Sequence, residues 1–122
     1  MRKVVQMSKV YKIPKEKIVR LVPHHGGCIA TDRITVDGSE VGYMYRQVTS
    51  READTGWIFL AGDESQEYID DLSHSDVYAV NTIANCDPAI LPHLDTPAPC
   101  AFERIPGTRK YKEAPTYKLD RG

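Results

Sequence analysis

The stretch 42–71 limits the possible folds more than any other part of the chain. It opens with GYMYR, passes DTGW at 54–57 and a short apolar run at 58–61, and ends in GDESQEYIDD at 62–71. Apolar runs this short, bounded by glycine and polar residues, fit strands of a sheet better than long helices. Val41, Tyr43 and Tyr45 alternate with Gly42, Met44 and Arg46. This is the two-residue period of a strand, and its apolar-aromatic face is expected to pack on the core. Gly42 inside a strand signals a bulge or the close approach of another backbone. Trp57, Phe59 and Ala61 alternate with Ile58 and Leu60. Both faces are apolar, as in a central strand. Trp57 reads either as core or as a partly exposed anchor of a binding surface.

The flanking segments add short elements. Residues 1–13 alternate only loosely, as a weak strand or an irregular arm. Pro14 suits a first helical turn, and Ile18, Leu21 and Val22 share one face of a helix over 14–22 that Pro23 stops. Residues 34–36, Asp37-Gly38 and 41–48 predict a hairpin with a type I′ turn. Asp63 is a natural N-cap, with Gln66 three residues on, for an acidic helix over 63–72 whose apolar stripe is Tyr68, Ile69 and Leu72. Residues 28–31 and 77–83 read as strands, and 100–104 as a short edge strand. Asp87 caps a short helical turn at 88–91. Past Pro106 the chain is polar and basic, which predicts a flexible tail with Tyr111 and Tyr117 as its anchors. A chain of 122 residues fits one domain. We read an arm and helix at 1–23, a core at 24–105 and the tail at 106–122. The fold class expected is α+β, a mainly antiparallel sheet with two or three short helices.

The charge is segregated. Residues 1–20 hold seven basic residues and one acidic, and residues 104–122 six and two, whereas 21–103 hold three basic and fourteen acidic. From Glu52 to Asp76 there are eight carboxylates and no Lys or Arg. Such a field steers an oppositely charged partner. Alternatively, the basic ends fold back over the acidic middle and neutralise it. The acidic middle would repel phosphate, which disfavours nucleic acid. No apolar run approaches the roughly 20 residues of a membrane span. Three widely spaced cysteines without a CxxC read as free thiols in a reducing cytoplasm.

Chemistry is hard to find. There is no GxSxG, no Walker loop and no GxGxxG. His24 and His25 are adjacent, so their side chains point apart, and neither His74 and His93 nor the cysteines have metal-like spacing. No metal and no cofactor are expected. A Cys28 nucleophile with His24 or His25 as base needs a held geometry that adjacency does not supply. The acidic segment has no EF-hand pattern.

Several short motifs in one order carry a family resemblance: CIATDRITVDGSEVGYMYR, DTGW, GDESQEY, NTIANCDPAILPHLD and AFER. Over 28–104 the chain resembles the bacterial immunity protein family 33, formerly a domain-of-unknown-function family. Its members are predicted antidotes of polymorphic toxin systems. The resemblance implies a cytoplasmic, non-catalytic protein that binds a cognate toxin domain and blocks it. It carries no catalytic residues with it. Joined to the charge pattern, it makes Asp54, Asp63, Glu64, Glu67, Asp70 and Asp71 candidate partner-binding carboxylates, with Trp57, Tyr43 and Tyr45 as candidate apolar anchors. An alternative is a small-molecule or regulatory domain with a pocket near Trp57 and Tyr43. A second is an enzyme built on Cys28 and His25 or on carboxylates. The apolar face of the hairpin also offers a homodimer contact.

Overall fold

A computed structural model describes residues 9–23 and 26–115. Six strands form one sheet: β1 (Gly27–Thr31), β2 (Tyr43–Arg46), β3 (Asp54–Leu60), β4 (Ser75–Ala79), β5 (Cys100–Arg104) and β6 (Tyr111–Glu113). Their order is β4-β1-β3-β2-β5-β6. Only β1 and β3 run parallel, and every other pair is antiparallel. Three short helices accompany them: α1 (Asp32–Thr35), α2 (Gln66–Asp70) and α3 (Val80–Cys86), with a 3-10 turn at Pro88–His93. The expected α+β class and mainly antiparallel sheet are what the chain adopts, with β3 in the interior of the sheet.

The core lies on one face of the sheet. Ile34 of α1, Val80, Ile83 and Ala84 of α3, and Ile90 and Leu94 cover Cys28, Ala30, Met44, Trp57, Phe59 and Phe102. Register explains the choice of face, because Met44 stands opposite both Phe59 and Phe102. All three side chains therefore point the same way. The expectation that Tyr43 and Tyr45 face the core is thus reversed. Met44 is fully buried, and the two tyrosines are half-buried on the far side. Pleating allows only one of the two sets to point inward, and the larger apolar neighbours lie with Met44. Trp57 is 1% exposed. Its indole N–H donates to the Leu94 carbonyl at 3.1 Å, so its one polar atom is satisfied inside the core.

Gly42 is a close approach, as its position in the sequence suggested. A Cβ there would stand 1.9 Å from the Ala61 carbonyl oxygen, nearer than any side chain tolerates. Asp37-Gly38 does not turn a hairpin. Residues 32–35 are helical, and Gly38 ends that helix at a φ of +82° while the Ser39 N–H returns to the Arg33 carbonyl. The positive φ that would serve a type I′ turn serves a helix C-terminus equally well. The hairpin involving β2 is made with β3 instead.

Four further expectations are corrected. Residues 14–22 are not a helix. One 3-10 turn at Lys15–Lys17 is followed by extended chain from Ile18. That chain is bonded to two asparagines of α3. Asn81 Oδ1 accepts from the Leu21 and Val22 N–H groups at 2.7 and 2.9 Å, and Asn85 Oδ1 accepts from Val19 N–H at 3.0 Å. Both side-chain amides donate back to the Val19 carbonyl. Pro23 also disfavours a helical Val22. The run 77–83 is strand only to Ala79 and then turns into α3, which sets Asn81 and Asn85 one turn apart on the same face. β5 is not an edge strand, since it lies between β2 and β6. The predicted tail begins as ordered chain, because Tyr111–Glu113 pairs with β5 and Tyr111 is buried. Asp87 does cap the 3-10 turn, accepting from the Ala89 N–H at 3.1 Å. Tyr117, His24 and His25 lie outside the described residues.

A buried ion pair ties β5 and β6 to the loop before β2. The Arg104 guanidinium meets the Asp87 carboxylate, both side chains 7% exposed. It also donates to the Tyr111 hydroxyl at 3.0 Å and the Val41 carbonyl at 3.1 Å. Asp87 in turn accepts the Val41 N–H at 2.8 Å, and the Tyr111 hydroxyl donates to Val41 O at 2.6 Å. Buried charges are tolerated only when paired and fully hydrogen-bonded, which this cluster achieves.

Candidate functional site: the open sheet face

The face opposite the core carries a groove of about 1260 Å³. Its floor follows from strand alternation. Ile29 pairs with both Ile58 and Val77, and Tyr43 pairs with Leu60. These side chains and Tyr45 all line the groove. Val77 is 70% and Ile29 42% exposed. The Tyr43 and Tyr45 rings lie 5.8 Å apart and tilted. Burial raises the Tyr45 phenol above its ordinary value, so it stays a neutral donor at physiological pH.

The segment that carries the acidic residues forms a wall of this groove through Glu64, Gln66, Ile69 and Leu72. Its position is fixed by Glu64. The Glu64 carboxylate accepts from the Thr31 hydroxyl at 2.6 Å and from the Ala61 and Gly62 N–H groups at 2.8 Å each. Helix α2 starts later than expected. Ser65, not Asp63, is the N-cap, with its hydroxyl oxygen accepting the Tyr68 N–H at 3.1 Å. Asp63 is taken by Arg33, whose guanidinium donates to it at 2.6 and 3.1 Å. That contact holds the Asp63 carboxyl below its ordinary range. At the end of α2, Tyr68 stacks on His74 at 4.0 Å. Leu72 is 86% exposed.

The candidate residues therefore separate. Tyr43 and Tyr45 lie on the groove floor. Asp63 and Glu64 line it, but their carboxylates are engaged within the chain. Glu67, Asp70 and Asp71 are exposed, and no described Lys or Arg pairs with them. Asp71 accepts from the Ser73 N–H and hydroxyl, which hold its pKa low. Asp54 begins β3, and the acidic segment follows the other end of that strand, about 20 Å away at ~3.3 Å per residue. The eight carboxylates of 52–76 are thus not one patch. The basic N-terminal segment does reach part of the acidic middle, since Lys9 pairs with Asp32 at 2.8 Å and lies 3.9 Å from Asp76.

Trp57 cannot anchor a partner from inside the core, and a pocket shared by Trp57 and Tyr43 is excluded because they lie on opposite faces of the sheet. Burial pushes the Cys28 thiol well above its ordinary value, the reverse of what a nucleophile needs. Among the described residues no three His, Cys, Asp or Glu side chains converge on a metal position. Sequence analysis did not single out Ile29, Ile58 or Val77, because apolar residues on both faces of a strand fit equally well a strand covered on both sides.

Helices thus cover one face of the sheet, and among the described residues apolar side chains such as Ile29 and Val77 are exposed on the other. The chain belongs to the family of the Immunity protein Imm33 domain, which matches residues 28–115. The match takes in β2 to β6, all three helices and all of β1 except Gly27. No curated protein and no solved structure matches the chain. No described helix is long and apolar enough to cross a membrane.

Proposed function

We propose that this chain is a non-catalytic, toxin-neutralising immunity protein. It acts in the cytoplasm, where its three free thiols are at home, and it binds a cognate toxin domain through the open sheet face and the acidic wall beside it. Membership of the immunity family supports the class of partner. The observation that carries the reading is the exposure of Ile29, Val77 and Leu72 along the groove, because large exposed apolar surfaces on globular domains mark sites of association. The acidic contribution is narrower than the sequence pattern implied. It comes from Glu67, Asp70 and Asp71 on α2 and its C-terminal end, with Asp76 and Glu103 at the groove. Asp63 and Glu64 shape the wall, and Asp54 belongs to another region.

Growth rescue tests this. The chain is co-expressed with each toxin domain encoded in the same genome, and survival is scored. Rescue from one toxin, with a stable complex on co-purification, is the expected result. Failure to rescue from any of them, or rescue without a complex, overturns the reading.

A further inference from the structure

We infer that the groove receives a single amphipathic helix of a protein partner, apolar stripe down, with lysines or arginines along its flanks. The inference rests on the toxin-neutralising reading for the partner's class, and on the groove itself for its shape.

The floor decides between a helix and an extended segment. β1, β2 and β3 are interior strands whose backbone groups are already spent in ladders with neighbours on both sides. A strand laid over their side chains would find no backbone partners and would bury its own N–H and C=O groups unpaired. A helix satisfies its backbone internally and brings only side chains to the floor. Size points the same way. From β4 to β5 the sheet spans four strand spacings, roughly 19 Å. That admits one helix of ~10 Å diameter beside the α2 wall, and a second would need another 8–10 Å between axes.

Charge sets the flanks. Asp76 and Glu103 line the groove, and Glu67, Asp70 and Asp71 beside it are exposed with no described Lys or Arg partner, whereas Asp63 and Glu64 are already engaged by Arg33 and Thr31. Among the described lining residues Arg104 is the one Lys or Arg, and its guanidinium is turned to Asp87, Tyr111 and Val41. A two-fold pair of this chain would set acidic rim against acidic rim. A basic, leucine-rich helix meets apolar floor and acidic rim together.

The probes are three synthetic peptides of about 18 residues, roughly 27 Å as helix. One has Leu and Lys at amphipathic spacing, one replaces Lys by Glu, and one scrambles the first. Backbone amide shifts of the full chain are followed by NMR. The expected result is that the Leu/Lys peptide alone shifts amides of β1 to β4 and of the 61–72 wall. Val77→Asp and Leu72→Asp should each weaken it at least about tenfold, as an unpaired charge facing an apolar stripe demands. Val48→Asp, also on an exposed residue but outside the groove, should bind as the parent does. Equal response to the Leu/Glu or scrambled peptide, shifts mapping elsewhere, or no shifts at all would overturn the inference. So would a concentration-dependent dimer that Val77→Asp abolishes, since the second copy would then be the occupant. If growth rescue succeeds and survives Val77→Asp and Leu72→Asp, the groove inference fails and the toxin-neutralising reading stands. If no toxin is rescued while the Leu/Lys peptide still seats in the groove, the opposite holds.

Discussion

The Glu64 carboxylate accepts the Thr31 hydroxyl at 2.6 Å across 33 positions of sequence. It fastens the acidic segment to the end of β1. Glu64 thus acts through position and not through free charge. Glu64→Ala removes three accepted hydrogen bonds, each worth about 1.5–3 kcal/mol when the charged group is well buried. Solvent at this half-exposed site recovers part of that. Chemical denaturation should show a loss of about 1–3 kcal/mol, and Glu64→Gln should restore part of it. Thr31→Val should cost about 1 kcal/mol.

Asn81 and Asn85 hold the backbone of Val19, Leu21 and Val22 through their side-chain amides. Asn81→Ala leaves two N–H groups without their acceptor. Hydrogen exchange at the Leu21 and Val22 amides should rise by one to two orders of magnitude, the equivalent of about 1–3 kcal/mol. Exchange in β2, β3 and β5 should hardly change. A uniform rise across the sheet would mean that the segment supports the whole fold.

Breaking the Asp87–Arg104 pair should be the most damaging single change. Asp87→Ala strands a buried guanidinium and frees the Val41 N–H, a loss of about 3–5 kcal/mol. Thermal unfolding measures it. Asp87→Asn should fall between, since it keeps an acceptor without the charge.

His93 packs against the Phe102 ring at 4.6 Å and the Tyr111 ring at 5.4 Å. Burial lowers its pKa from the ordinary 6.5. The unfolded chain therefore takes up a proton at a higher pH than the folded chain does. This contribution to stability is fully present above about pH 6.5 and is lost as pH falls through the lowered folded value. His93→Gln should flatten the acid side of the stability curve between neutrality and pH 5, measured by urea midpoints.

How far the sequence could be read depended on the reach of each signal. Strand alternation is local, so β1, β2 and β3 were legible, as was the Asp87 cap. What decides which face is covered is not local. Met44 wins over Tyr43 and Tyr45 because Phe59 and Phe102, far away in sequence, stand beside it. The same holds for 14–22, where a helical period yields to hydrogen bonds from asparagines some 60 positions on. Asp37-Gly38 encodes a positive φ without saying whether a strand or a helix precedes it. The acidic segment was visible as charge, but its division into Glu64 and Asp63, spent inside the chain, and Glu67, Asp70 and Asp71, left outside, depends on Thr31 and Arg33.

The sheet order leaves β4 and β6 outermost among the described strands. An outermost strand presents unpaired N–H and C=O groups that can recruit a strand from another molecule. β6 is three residues long, with exposed Lys112 and Glu113, and β4 carries exposed Asp76. Short length and charge are the means by which edges refuse further strands. Growth of the sheet from one molecule into the next is thereby discouraged at both of these outer strands.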